Sequence, residues 1–122
     1  MYKSLSVLVP VYNEKNTIEK CLNRILKANT CDLELEILVS DNNSTDGTRE
    51  ILKSIKDPKI KFFFREINGG KGANIKNVLK HANGDIILFQ DGDLEYSPEN
   101  YPDLLRPFID SDADVVFGRR YA

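Results

Sequence analysis

The chain has 122 residues, 41% of them hydrophobic and 30% charged, which fits one soluble globular domain with enough length for a real core. Its net charge of −2 implies no basic face and argues against a nucleic-acid surface. No apolar run approaches the ~18–20 residues that span a bilayer, no signal peptide precedes the first strand, and two cysteines without metal-binding spacing suit a reduced, cytosolic protein.

Leu5 to Val11 is apolar and β-branched. Pro10 cannot donate to a ladder, so the strand is expected to stop or lose pairing there. Ile18, Cys21, Leu22, Ile25 and Leu26 then form one helical face, and Asn16 with Glu19 resembles a capping box. Leu35 to Val39 reads as the second strand, and Ser40 to Gly47 as its exit loop. A helix over Thr48 to Ile55 ends before Asp57-Pro58, and Ile60 to Phe64 is the third strand. After a loop at Asn68-Gly69-Gly70, a third helix carries Ile75, Val78, Leu79 and Ala82 on one face. Asn83-Gly84 closes it, glycine tolerating left-handed geometry.

The fourth strand is the short run Ile86 to Phe89. Ser97 reads as an N-cap with Pro98 at the first helical position. That helix runs to about Ile109, with a bend expected at Pro107. Ala113 to Phe117 is the fifth strand. The order βαβαβαβαβ, with near-continuous apolar strands, predicts an α/β fold: a mostly parallel sheet with helices on both faces.

Beyond the fourth strand stand Asp91, Asp93 and Glu95. Carboxylates this close repel one another, and a divalent cation offsets the repulsion. Hard oxygen ligands suit Mg²⁺ or Mn²⁺, which also take phosphate oxygens. An acidic, solvated turn is the alternative reading of the same residues.

In a parallel sheet all strand carboxyl ends share one edge, where ligands bind. The polar loops after strands one to four therefore converge. Tyr12 offers a flat face for a base, or is an interfacial aromatic. Asp41 can accept from a base N–H or a ribose hydroxyl, or serves the turn, as Asp46 does more readily. Lys71 supplies a point charge for phosphate between close-approaching glycines, or is a solvated charge. Glu14 favours either the ligand or a helix N-terminus. His81 is assigned no role. A phosphate-binding loop of the Walker type, a dinucleotide fingerprint and a calcium loop all fail on spacing.

Val9 to Glu14, Asp41 to Thr48, Gly70-Lys71-Gly72 and Asp91 to Pro98 together resemble family 2 glycosyltransferases of the GT-A fold, a Rossmann-like α/β architecture. The branch most similar is that of polyprenyl-phosphate glycosyltransferases, the dolichyl-phosphate mannose synthase type. The resemblance implies inverting transfer from a UDP- or GDP-linked sugar to an acceptor, a polyprenyl phosphate or a glycan, with Mg²⁺ or Mn²⁺. By the same resemblance Pro10, Tyr12, Glu14 and Asp41 contact base and ribose, Lys71 lies near the donor, and Asp91 sits by nucleotide and sugar. Asp93 and Glu95 coordinate the metal together with Asp91. Asp93 and Arg120 are the expected catalytic residues, Arg120 facing the acceptor phosphate.

Two departures stand out. Asn42 replaces the second Asp of the family's Asp-Asp pair. The chain also stops just after the fifth strand, whereas family domains continue with acceptor-binding elements and in some members membrane helices. Residues 1–122 are therefore expected to be the nucleotide-sugar-binding part of a GT-A domain truncated at its C-terminus. Membrane contact, at the inner face, would come only through the acceptor or the missing region. A sheet edge left exposed would favour self-association. The competing function is an inactive nucleotide-diphosphate-binding module. A phosphatase-like hydrolase fits less well, because its Asp-x-Asp pair follows the first strand.

Overall fold

In a computed structural model, residues 2–66, 70–90 and 97–111 are described. Strands β1 (Ser4–Val11), β2 (Glu34–Asp41), β3 (Ile60–Phe64) and β4 (Ile86–Phe89) alternate with helices α1 (Ile18–Lys27), α2 (Thr48–Ser54) and α3 (Gly70–Leu79). A 3-10 turn (Pro98–Asn100) then leads into α4 (Tyr101–Ser111). The described strands form one sheet in the order β3-β2-β1-β4, with every pairing parallel. The fifth strand expected at Ala113 to Phe117 lies outside the described residues.

Side-chain alternation divides the two faces. Leu5, Val7, Val9 and Val11 of β1 join Ile37 and Val39 of β2 on one side, under α1, α2 and α4. Leu8 and Leu38 point the other way, onto Val78 of α3. A period of two in the strands and of 3.6 in the helices produces this layering directly. Ile18, Cys21, Leu22 and Ile25 are the buried stripe of α1, as their spacing predicts.

Four local expectations change. Pro10 does not end β1: it pairs in register with Ser40, and Val11 continues the strand. In a parallel strand successive residues bond to alternate neighbours. Gln90 N–H donates to the Leu8 carbonyl and Asn42 N–H to that of Val11. The missing N–H of Pro10 therefore falls on the β4 side, past Leu8–Phe89, the last pair of the described β1–β4 ladder.

The Asn16–Glu19 capping box is replaced by an earlier turn. Thr17 is the N-cap without a side-chain cap bond, and the Glu14 carbonyl accepts the N–H groups of Thr17 and Ile18. Finally, Gly70 opens α3 rather than closing a loop, with φ at +86°, and the helix ends at Leu79. Gly84 is not left-handed. A Cβ there would stand 2.5 Å from the Ser6 backbone nitrogen, so glycine is needed for close approach to β1.

Candidate functional site

Register places the loops on one edge. Val11, Asp41 and Phe64 are laterally aligned at the carboxyl ends of β1, β2 and β3. The strand order reverses between β1 and β4, the place where open α/β sheets take ligands.

The loops after β1 and β2 are stitched together. Asn13 N–H donates to Ser44 Oγ at 2.8 Å, and Thr45 N–H returns to Asn13 Oδ1 at 2.8 Å. Glu14 N–H donates to Thr48 Oγ1 at 3.0 Å. Asn13 and Asn43 both take left-handed φ, of 52° and 63°, which asparagine tolerates better than bulkier residues. Asp46 serves the turn, accepting from Thr48 N–H and Oγ1 at 3.0 and 2.5 Å. Burial works against its charge, but the Thr48 bonds outweigh this and hold the carboxyl below the usual carboxylate range.

Of the predicted site residues, Tyr12 is 45% exposed at the rim. Pro10 is buried within β1. Glu14 is half-buried, and its carboxylate accepts from Thr17 Oγ1 at 3.2 Å. Asp41 is fully buried rather than open to a ligand. Its Oδ1 accepts from Ser44 Oγ at 2.5 Å, and its Oδ2 from Ser44 N–H at 3.1 Å and Arg49 Nε at 2.5 Å. Asn42, where the family pattern has Asp, is also buried and accepts from Arg65 Nη1 at 3.3 Å. Lys71 is the second residue of α3; its side chain lies outside the described residues, as do Asp91, Asp93, Glu95 and Arg120. Among the described residues no cluster of three or more His, Cys, Asp or Glu forms a metal site.

Several residues that fix this rim carry no signal in a motif search. Arg49 pairs with Asp41, and that bond raises its guanidinium above the ordinary value against the opposing effect of burial. Asn74 of α3 is buried against Ser40 at the end of β2: Ser40 Oγ bonds Asn74 Oδ1, and Asn74 Nδ2 donates to the Ser40 carbonyl at 2.9 Å. This docks the start of α3 at the rim. No acid stands in its first turn, so its N–H groups and dipole favour an anion.

Both flanks of the acidic segment are also anchored. Tyr101 Oη donates to Gln90 Oε1 at 2.8 Å, both residues buried. On the far side Arg24 donates to Ser97 Oγ at 2.9 Å and to Glu99 at 2.6 Å. A buried Gln after an apolar strand was the available clue to the first anchor. The second joins residues far apart in sequence, which no local pattern reveals.

Residues 6–122 match the family model described as Glycosyl transferase family 2. The chain belongs to glycosyl transferase family 2. It is 32% identical over 118 residues to a dolichol-phosphate mannosyltransferase of Pyrococcus furiosus, covering 96% of this chain and 33% of that protein. The fold is GT-A, and two solved structures support it. One is a mannosyltransferase from Pyrobaculum calidifontis in complex with GDP-Man and Mn²⁺, with a TM-score of 0.67 and 28% identity over 82% of this chain and 30% of that one. The other is S. aureus TarS 1-349 in complex with UDP-GlcNAc, with a TM-score of 0.76 and 30% identity over 91% and 32%. This family 2 chain thus spans about a third of the length of the relatives it matches. No helix among its described residues is long and apolar enough to cross a membrane.

Proposed function

We propose that this chain is the nucleotide-sugar-binding part of an inverting glycosyltransferase that uses a UDP- or GDP-sugar. The reading rests above all on the shared edge of Val11, Asp41 and Phe64, which gathers the loops carrying Tyr12, Asp41 and the α3 N-terminus. Tyr12 would stack on the base. The first turn of α3, with Lys71, would face the diphosphate. Asp91, Asp93 and Glu95 would hold Mg²⁺ or Mn²⁺, which supplies Lewis-acid stabilisation of a departing diphosphate. Asp41, buried on Arg49 and Ser44, would shape the base pocket through its loop or meet the ribose after a local shift.

A relative named dolichol-phosphate mannosyltransferase supports a lipid phosphate as acceptor. A phosphate is already ionised and needs little help from a general base, unlike a hydroxyl. Arg120 would pair with that phosphate. The solved complexes with GDP-Man and with UDP-GlcNAc leave both donors in play.

The test is calorimetry of UDP and GDP with and without Mn²⁺ on the wild-type chain and Asp93→Ala. Metal-dependent binding lost in the variant is expected, whereas equal affinity with and without Mn²⁺ overturns the metal site. A second reading is nucleotide-diphosphate binding without transfer. Turnover of a donor sugar onto a polyprenyl phosphate by this chain would refute that second reading.

A further inference from the structure

Arg49 occupies the first turn of α2, where the helix dipole disfavours a cation. Its side chain is only 15% exposed, and each part of the guanidinium is engaged. Nε meets Asp41 Oδ2 at 2.5 Å, at the end of β2. Nη2 donates to the Arg65 carbonyl just past β3, and Nη1 lies 3.6 Å from Glu66 Oε1. The central carbon stands 5.5 Å from the Phe64 ring centroid. The other Asp41 oxygen accepts from Ser44 Oγ, which itself accepts from the Asn13 N–H of the loop after β1.

One carboxylate–guanidinium pair therefore ties together the loops after β1, β2 and β3. A charge as buried as Asp41 requires a partner, and removing one member of such a pair strands the other. A planar fork can hold Asp41 and the Arg65 carbonyl at once, which a lysine ammonium does poorly.

We propose that Arg49 is a positioning residue for the donor site: by pinning Asp41 between the ends of β2 and β3, it sets the affinity for the nucleotide without touching it. The inference rests on the nucleotide-sugar reading above. Arg49 acts on ligand affinity through the rim loops, so its loss weakens binding more than its distance from the ligand suggests. Among the described residues, Arg49 forms the ion pair with Asp41.

The experiment measures Kd for UDP and for GDP with Mn²⁺ on the 122-residue chain. Wild type is compared with Arg49→Met, Arg49→Lys, Asp41→Asn and the double variant Asp41→Asn/Arg49→Met. Binding of neither nucleotide by wild type overturns the nucleotide reading, and this inference with it. Given wild-type binding, Arg49→Met is expected to be weaker by about tenfold or more, with Arg49→Lys between the two. If Arg49 acts through Asp41, the double variant binds no more weakly than Asp41→Asn alone, whereas an independent structural loss would add to it. Arg49→Met within about twofold of wild type, or a double variant weaker than Asp41→Asn by the full Arg49→Met factor, overturns the proposal. If Arg49→Met does not fold, Asp41→Asn and the double variant decide: both weaker than wild type and equal to each other within about twofold supports the proposal, and any other outcome overturns it.

Discussion

Ser40 and Asn74 exchange two hydrogen bonds across the interface between β2 and α3, with Asn74 Nδ2 donating to the Ser40 carbonyl at 2.9 Å and Ser40 Oγ bonded to Asn74 Oδ1. Both side chains are buried, at 0% and 1% exposure, so neither has water to fall back on. The pair lies one residue before Asp41 and one turn into α3. It thereby fixes where the α3 N-terminus sits relative to the rim.

Asn74→Ala leaves the Ser40 groups without these partners in a dry interface. It is expected to lower stability by about 1–3 kcal/mol, the range for an orphaned buried polar group. Urea unfolding followed by circular dichroism measures this, and an unchanged midpoint would contradict the pairing. Ser40→Ala removes only the hydroxyl bond and keeps the carbonyl that Asn74 Nδ2 donates to, so it should cost less, and the two losses should fail to add because both include the hydroxyl bond.

Gly84 tests a different constraint. Its absent Cβ would meet Ser6 N at 2.5 Å, Ser6 Oγ at 2.6 Å and the Leu5 carbonyl carbon at 2.9 Å. Two of these atoms are backbone in the central strand and cannot swing aside. Gly84→Ala should therefore destabilise by about 1–3 kcal/mol, as overpacking does. A left-handed glycine would fail for another reason, so the same change at Gly70, with φ of +86° and open space around it, separates strain from clash. A thermal melt of each variant reads the difference. A neutral Gly84→Ala would show that the strand moves to make room.

The element order, the parallel pairing and the layering of the described sheet were legible because apolar runs and amphipathic stripes each bury a defined face. The convergence of loops followed from parallelism alone. What stayed hidden was the tertiary use of polar residues. Nothing local shows that Asp41 pairs with Arg49, since the two stand on different elements and Arg49 looks like any surface charge on a short helix. Gly84 carries a turn signal whatever its true reason, because chain proximity to Ser6 appears only once β1 and β4 are paired. Pro10 misleads in the other direction, since its missing donor happens to face the side where no described pair is formed.

Gln90 and Tyr101 concern the entry to the acidic segment. Tyr101 Oη donates to Gln90 Oε1 at 2.8 Å inside the core, and Gln90 N–H donates to the Leu8 carbonyl at 2.8 Å. Tyr101→Phe keeps the ring packing and removes the hydroxyl alone. It is expected to cost about 1–2 kcal/mol of stability, that of a buried bond left unmade on one side. If the anchor also positions Asp91 and its neighbours, Mn²⁺-dependent UDP or GDP affinity should fall while metal-free affinity holds. Equal losses with and without metal would confine Tyr101 to a role in stability.

Glu36 supplies the clearest pH dependence. Burial alone would raise its carboxyl, but bonds from Ser6 Oγ, Lys61 Nζ and the Asn83 N–H prevail and hold it at about 2, against an ordinary value of 4.5. The folded value is the lower one, so the unfolded chain binds the proton more readily. Stability from Glu36 is therefore complete above about pH 4.5 and is lost as pH falls from there towards 2. Lys61 is half exposed, which screens its share. Glu36→Gln should consequently lose only about 1–2 kcal/mol at pH 7. The gap between variant and wild type should close as pH falls from 5 towards 3, and 0.5 M salt should narrow it at pH 7. Urea midpoints across that range provide the measurement. A gap that persists unchanged to pH 3 would mean that Glu36 contributes through packing and not through its charge.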